Sequence, residues 1–380
     1  MSIVFATLLV TTIQIIGMNQ RLEAIDVLRG MTIFFMIIVN TPGTWQYVYA
    51  PLRHAEWNGW TPTDLVFPFF VFIVGLAMAY SFRKYLGDKK ALSRKIIART
   101  ASIFLVGLLL NWYPFFTKSL SELRYFGILQ RIALAYGLGA LIIAYTKEKL
   151  LPFFLAVILV GYWILLLFGG SSPDPLSLEN NLVRILDLSL FGEKHIYHGY
   201  GIPFDPEGLL STLPAAGTVI LGYLVGKRVQ QLEAHFSKIK MLTFGGLSLV
   251  AVGYLWHFLG FPVNKPIWSS SFVLLTGGLA MLLFAGLIYI IDILAAERWT
   301  YVFKVFGLNP LISYVLSGLV IKTFFLIKVG EQNLYGWIYT ECFQVVFGDF
   351  FGSFMQALVY TFFIWLFAWL LYRKGKVVKL

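Results

Sequence analysis

The sequence predicts an all-α protein that crosses a lipid bilayer about ten times, and three observations support this prediction. Of the 380 residues, 58% are hydrophobic and only 13% are charged, whereas about a quarter of a soluble domain is charged. Apolar runs of about twenty residues recur along the chain, which is the length a helix needs to cross a hydrocarbon core. These runs are continuous rather than alternating, so a transmembrane β-barrel is excluded.

Ten core helices are predicted from the apolar runs. They cover residues 30–47, 64–82, 96–113, 125–145, 150–168, 207–226, 241–259, 268–291, 305–327 and 353–371. Residues 1–17 are uncharged and largely apolar, so they form either an eleventh helix or a stretch upstream of a true start at Met18. Residues 18–380 are expected to form one transmembrane domain.

The distribution of basic residues predicts the orientation of the chain. The net charge is +11, and most of the 30 Lys and Arg residues fall in alternate connecting segments such as 83–99, 227–240 and 373–379. The positive-inside rule then places both ends of the ten-span core in the cytoplasm. The basic excess is therefore a topology signal, and no nucleic-acid partner is predicted. The single cysteine and the lack of Cys/His clusters at zinc spacing give no disulfide and no metal site.

Residues 40–70, around the connection between the first two spans, gather more hydrogen-bonding side chains in one place than almost any other part of the chain. His54 is the best candidate for a general base, because imidazole accepts a proton near neutral pH; the alternative is a solvated loop histidine. Asp64 opens the second span, either as a helix cap or as a functional group. Asn40 lies near the outer end of the first span, where a polar side chain marks a function or a buried partner.

Gln130 and Arg131 lie inside the fourth predicted span. A guanidinium remains charged there, so it needs an anion or a set of carbonyl groups. Two interpretations remain open, namely a salt bridge to Asp64 or Glu207 and the binding of an anionic ligand.

Two further groups precede the sixth and eighth spans. Asp205 and Glu207 either cap a helix and complement its dipole or recognise hydroxyl and amino groups of an acceptor. Asn264 and Lys265 place an amide and a charge beside Trp268, which suits a sugar and equally suits an interfacial anchor.

Several motifs occur in one order along the chain: RLEAIDVLRG, RHAEWNGWTPTDLVFPFF, GILQR, PFDPEGLLSTL and PVNKPIWSSSFVL. With these motifs the chain resembles the heparan-α-glucosaminide N-acetyltransferase family, which is lysosomal in animals and has bacterial relatives. The resemblance implies that acetyl-CoA from the cytosol supplies an acetyl group to the amino group of a glucosamine on the far side of the membrane. It also implies that His54 is the active-site histidine and that Asn40 takes part in catalysis.

The residues and the resemblance together predict three groups of site residues. The catalytic group is His54, Asn40 and Asp64; the acetyl-CoA group is Arg131, Gln130 and Arg29; the acceptor group is Asp205, Glu207, Asn264, Lys265, Trp57, Asn58 and Trp268. The expected acceptor is a small amino sugar or a cell-envelope saccharide, and the expected location is a bacterial inner membrane. The resemblance also allows a homodimer.

Two other functions are compatible with a chain of this kind. A secondary transporter of amino sugars would also have ten or more spans and polar residues near the midplane. A non-catalytic component of envelope assembly or signalling is the third class. The clustering of polar motifs at one membrane face, without a repeated pair of broken helices, favours the enzyme.

Overall fold

The structure is a computed structural model and describes residues 22–117 and 119–378. Its long helices are α1 (Glu23–Asn40), α2 (Pro62–Ser81), α3 (Lys89–Trp112), α4 (Ile128–Tyr145), α5 (Leu151–Gly169), α6 (Leu182–Phe191), α7 (Thr212–Gln231), α8 (His235–Phe258), α9 (Ser270–Ile288), α10 (Thr300–Leu308) and α11 (Pro310–Leu326). A two-residue hairpin follows, with strands β1 (Lys328–Val329) and β2 (Gln332–Asn333). The short α12 (Leu334–Ile338) and α13 (Val345–Phe347) then lead to α14 (Asp349–Arg373). The segment 1–17 lies outside the described residues.

The helices confirm a polytopic helical membrane protein. Helices α2, α3, α4, α5, α8, α9 and α14, with short extensions, make seven segments long and apolar enough to cross a bilayer, and the bent pair α10–α11 gives an eighth if it is one span. On the outer helices α3 and α8, large apolar side chains such as Leu105 and Phe244 are exposed, as lipid-facing positions require. All ten predicted spans overlap helices, but α1 carries three charged residues and α7 is less apolar, so neither is among the candidate spans and the number ten stays a prediction.

Helices α2 and α9 form the centre of the bundle and are the most buried of the candidate spans. A close contact between two helices joins α2 to α7 through glycines. A Cβ atom added at Gly75 would collide with the backbone carbonyl of Val219, and one added at Gly222 would collide with that of Phe72. Small residues let two membrane helices approach to backbone contact, so this pair fixes the relative position of α2 and α7.

The boundaries differ from the prediction where charges are paired. Helix α1 begins at Glu23 rather than near residue 30, because its early charged residues have partners: Glu23 lies 2.6 Å from Lys304 and Asp26 lies 2.8 Å from Arg29. The predicted sixth span begins only at Thr212. Asp205 and Glu207 therefore lie before the helix and do not cap it.

The ninth predicted span is broken at Asn309. Helices α10 and α11 meet there at 86°. Pro310 opens α11, and the residue before a proline is disfavoured in a helix. The Asn309 side chain binds the tail of the chain, donating to the Lys376 carbonyl (2.9 Å) and accepting from the Val378 amide (2.8 Å). This residue therefore joins the helix break to the segment that follows α14.

The loops predicted to share one membrane face meet at one end of the bundle. The Gly59 amide donates to the Val263 carbonyl (2.7 Å), which joins the segment before α2 to the segment before α9. The His195 imidazole lies 2.7 Å from the Leu123 carbonyl, which joins the long 170–211 loop to the segment before α4. These contacts hold the connecting segments together above the helices.

Candidate active site

His54 and Asp64 form a hydrogen-bonded pair at the start of α2. The Nδ1 atom of His54 lies 2.6 Å from the Oδ1 atom of Asp64. A carboxylate only accepts hydrogen bonds, so the proton lies on Nδ1 and the lone pair lies on Nε2. This is the tautomer that a general base or a nucleophile needs.

The carboxylate of Asp64 is held in place by its other oxygen. Oδ2 accepts from the backbone amides of Ala55 and Thr61, both at 3.0 Å, and from the Thr61 hydroxyl at 3.2 Å. Thr61 is the residue before α2, so Asp64 also satisfies a free amide at the helix start. The side chain is 1% exposed. Asp64 therefore caps the start of α2 through Oδ2 and contacts the His54 ring through Oδ1.

The imidazole of His54 faces outward from this fixed carboxylate. Its side chain is 43% exposed, and its hydrogen bond to Asp64 and its close approach to Lys265 are both made through Nδ1. Nε2 is therefore accessible to a substrate.

Lys265 reaches the same carboxylate from the segment before α9. Its Nζ atom lies 3.1 Å from Asp64 Oδ1 and 3.0 Å from His54 Nδ1. Burial lowers the pKa of the Lys265 ammonium, and the charge of Asp64 opposes this shift. Lys265 was predicted to bind the acceptor, but its ammonium lies on the Asp64 side of the imidazole.

A tightly bonded turn carries Lys265. The Asn264 side chain accepts from the Ile267 amide (2.9 Å) and donates to the Asn58 side chain (3.2 Å). The Trp268 amide donates to the Lys265 carbonyl (2.9 Å), and Trp268 has a φ of 51°, a left-handed conformation that is uncommon outside glycine. Because Asn264 and Trp268 are buried, neither offers a surface on which a sugar can bind.

Arg131 is fully buried and is bound by carbonyl groups. Its guanidinium donates to the carbonyls of Ser211 (2.8 Å), Pro206 (3.0 Å) and Gly208 (3.2 Å), and to the Ser211 hydroxyl (2.6 Å). It also lies over the Trp268 ring at 5.4 Å. Of the partners that the sequence left open, the structure shows the set of carbonyls rather than a salt bridge.

Arg124 is a residue of this region that sequence reasoning missed. Its guanidinium binds both oxygens of Asp205 (2.9 and 2.7 Å) and one oxygen of Glu207 (2.6 Å). These hydrogen bonds raise the pKa of Arg124 against the opposing effect of burial. Asp205 is completely buried, so it holds Arg124 and is not available to an acceptor. The sequence offered one signal for this role, because Arg124 is the only arginine in segment 114–124 between the third and fourth predicted spans.

The remaining predicted residues occupy separate positions. Asn40 ends α1 and is exposed, Arg29 pairs with Asp26, and Gln130 is buried where α4 meets α3. The Trp57 ring donates to the Leu176 carbonyl at 3.1 Å and packs on Phe204. Among the residues that the structure describes, there is no group of three metal-ligating side chains.

Asp187 of α6 gives this end of the protein a pH-dependent stability. Burial raises its pKa to about 7, with a further contribution from Asp205, although the Leu209 amide and Arg131 oppose the shift. Between about pH 4 and pH 7 the folded chain then binds a proton that the unfolded chain has lost, so stability falls as the pH rises through this range.

We therefore expect Asp187→Asn to be more stable than the wild type at pH 8, by an amount on the order of 2 kcal/mol. The thermal midpoint in detergent, followed from pH 5 to pH 8, should fall less steeply in the variant. Asp174→Asn is the matched control, because Asp174 is an exposed residue of the same loop. Equal slopes for Asp187→Asn and the wild type would contradict the assignment.

Comparison with known proteins bears on this site. A family model described as heparan-alpha-glucosaminide N-acetyltransferase, catalytic, matches residues 21–259, which include His54 and Asp64. The human heparan-alpha-glucosaminide N-acetyltransferase is 27% identical over 356 residues, covering 79% of this chain and 53% of that protein. The mouse protein of the same name is 26% identical over 351 residues, covering 78% and 53%. The chain thus spans about half the length of these relatives. More than half of the chain matches the family model, so the resemblance found in the motifs is confirmed and this chain belongs to the heparan-alpha-glucosaminide N-acetyltransferase family.

Proposed function

We propose that the protein is a transmembrane N-acetyltransferase that moves the acetyl group of acetyl-CoA to the amino group of a glucosamine-type sugar. The observation that carries the proposal is the His54–Asp64 pair, in which a buried carboxylate holds an exposed imidazole with Nε2 free to act. Membership of the family supports the reaction type. The relatives' names supply the acceptor class, and the basic segments supply the orientation, with both ends of the ten-span core cytoplasmic.

Three residues are assigned roles in this reaction. Nε2 of His54 either takes the proton from the attacking amine or carries the acetyl group itself, and both routes begin with the same lone pair. A nitrogen–carbon bond forms, the carbon–sulfur bond of the thioester breaks, and the proton leaves with the CoA thiol. Asp64 stabilises the imidazolium through Nδ1. Asn40, at the exposed end of α1, is assigned to the developing oxyanion.

The acceptor is assigned to the side chains that remain accessible around His54. Asn58 is exposed and Trp57 is half-buried, and Glu207 keeps 14% exposure beside Arg124. Arg131, Asp205, Asn264 and Trp268 are assigned to hold the loops, because the contacts described above occupy or bury their polar groups. Gln130 supports the α3–α4 contact. Arg29 is the residue that we still assign to the phosphates of acetyl-CoA, since it lies towards the predicted cytoplasmic end.

The test supplies purified protein with acetyl-labelled acetyl-CoA and glucosamine, and compares the wild type with His54→Ala. We expect label on the sugar amide with the wild type and no label above background with the variant. His198→Ala is the matched control, because His198 is an exposed histidine in an outer loop, and it should keep wild-type activity.

Two further measurements separate the alternatives. Release of one equivalent of CoA without glucosamine would show that His54 carries the acetyl group rather than acting only as a base. Movement of glucosamine into proteoliposomes without acetyl-CoA, together with no labelled product, would favour the secondary transporter and contradict the proposal.

A further inference from the structure

Two side chains, those of His54 and Lys265, converge on one carboxylate oxygen of Asp64 at the candidate active site. His54 Nδ1 and Lys265 Nζ lie 2.6 and 3.1 Å from Asp64 Oδ1, and the two nitrogens are 3.0 Å apart. Both nitrogens are donors to the same oxygen, so the lysine and the imidazole do not bond to each other but share one acceptor. A cation this close acts strongly on the charge of the imidazole.

A carboxylate oxygen 2.6 Å from Nδ1 favours the charged form of the imidazole over the neutral form. Asp64 is buried, ionised and at short range, which favours an imidazolium. An imidazolium has no lone pair on Nε2 and is neither a base nor a nucleophile. The Lys265 ammonium adds a positive charge 3.0 Å from Nδ1, on the same side of the ring as Asp64, and so disfavours a second positive charge on the imidazole.

We propose that Lys265 is a positioning residue that balances the charge of Asp64 and keeps His54 neutral and ready to react. This inference rests on the proposed function of the His54–Asp64 pair, and it replaces the acceptor-binding role predicted for Lys265. The charged and titratable groups that face Lys265 among the described residues are Asp64 and His54, with Glu207 from the segment before α7. Glu207 is itself bound to Arg124.

The hydrogen-bonded turn before α9 holds the Lys265 ammonium in place. Three contacts join the two segments, at Gly59 with Val263, at Asn58 with Asn264 and at Asp64 with Lys265. The left-handed Trp268 closes the turn onto the Lys265 carbonyl. A lysine that only captured a mobile sugar would need no such fixation relative to the carboxylate, whereas a charge that must lie beside Nδ1 requires it.

The test measures the reactivity of His54 directly as well as catalysis. Diethyl pyrocarbonate acylates neutral imidazole, and mass spectrometry of the His54 peptide gives the rate at each pH. In Lys265→Met and Lys265→Gln, we expect the pH of half-maximal reactivity to rise by about 1–2 units. The acidic limb of kcat/KM should move with it, so that activity falls about 10–100-fold at pH 6 and recovers at pH 9. Lys265→Arg, which keeps the charge, should restore the wild-type profile.

Each other outcome contradicts the inference in a recognisable way. If the pH profiles of kcat/KM keep their shape while kcat falls at every pH, Lys265 is purely structural. A higher KM for glucosamine with an unchanged pH profile would mean that Lys265 binds the acceptor.

The control variant is Lys194→Met, at an exposed loop lysine, and it should change neither profile. If the wild type transfers no acetyl group, the proposed function fails, yet the modification of His54 still tests the effect of Lys265. Gln is included because it preserves polarity if Met perturbs folding.

Discussion

Asp64→Asn is expected to lower kcat by about 10³-fold while the KM for acetyl-CoA changes little. The asparagine oxygen will take the place of Oδ2, because two backbone amides donate there. The amide nitrogen then faces His54 Nδ1, which must become an acceptor. The ring proton moves to Nε2, and the lone pair that the reaction needs is lost. The measurement is steady-state kinetics with acetyl-CoA and glucosamine on protein of verified thermal stability.

The control for this variant separates catalysis from helix capping. Asp88→Asn removes a carboxylate at the start of α3, where Asp88 accepts from the Ala91 amide at 2.8 Å, and it should keep wild-type kcat. Activity of Asp64→Asn within about tenfold of the wild type would show that the carboxylate serves mainly as a cap. The loss of a cap alone lowers the stability of the protein by about 1 kcal/mol.

Gly75→Val is expected to destabilise the membrane core strongly. The new side chain must displace the Val219 backbone of α7, which is part of a packed helix and cannot yield. Overpacking of this kind costs about 3 kcal/mol or more, and the separation of α2 from α7 also disturbs the start of α2, where Asp64 lies. The thermal midpoint in detergent and the yield of monodisperse protein measure the effect.

Gly161→Val is the matched control for that substitution. Gly161 also lies within a membrane helix, α5, but it is exposed and no atom lies within 4 Å of its added Cβ. Its variant should unfold within a few degrees of the wild type. An equal loss in both variants would mean that valine acts through helix propensity rather than through the α2–α7 contact.

The helices were largely predictable, because each bilayer crossing needs a long apolar run. The errors occurred where a charge or a proline overrides hydropathy. Helix α1 extends back to Glu23 since Lys304 pairs with that carboxylate, and such a partner, far along the chain, cannot be read from local composition. The break at Asn309 did have a local signal in Pro310, but the apolar residues on both sides of it suggested one continuous span.

The sequence singled out most residues of the candidate site, but it did not predict which of them contact one another. His54 and Asp64 were both identified, one from the chemistry of imidazole and the other from its place at a helix start. Their pairing depends on the fold of the ten residues between them. Lys265 reaches the pair from 201 positions beyond Asp64, and Arg124 finds Asp205 and Glu207 across two loops. Only tertiary structure reveals these distances, and they changed the proposed role of Lys265.

The join between Asn309 and residues 376–378 has a practical consequence for handling the protein. Two main-chain groups of the tail are bound to a side chain at the elbow between α10 and α11. A purification tag fused directly after Arg373 in place of the tail, or a deletion from that point, removes both hydrogen bonds. The buried amide side chain of Asn309 then loses both of these partners. The bend between α10 and α11 would then lose this support, and the angle between the two helices would change. The tag or deletion nevertheless lies at the opposite end of α14 from the loops that carry His54.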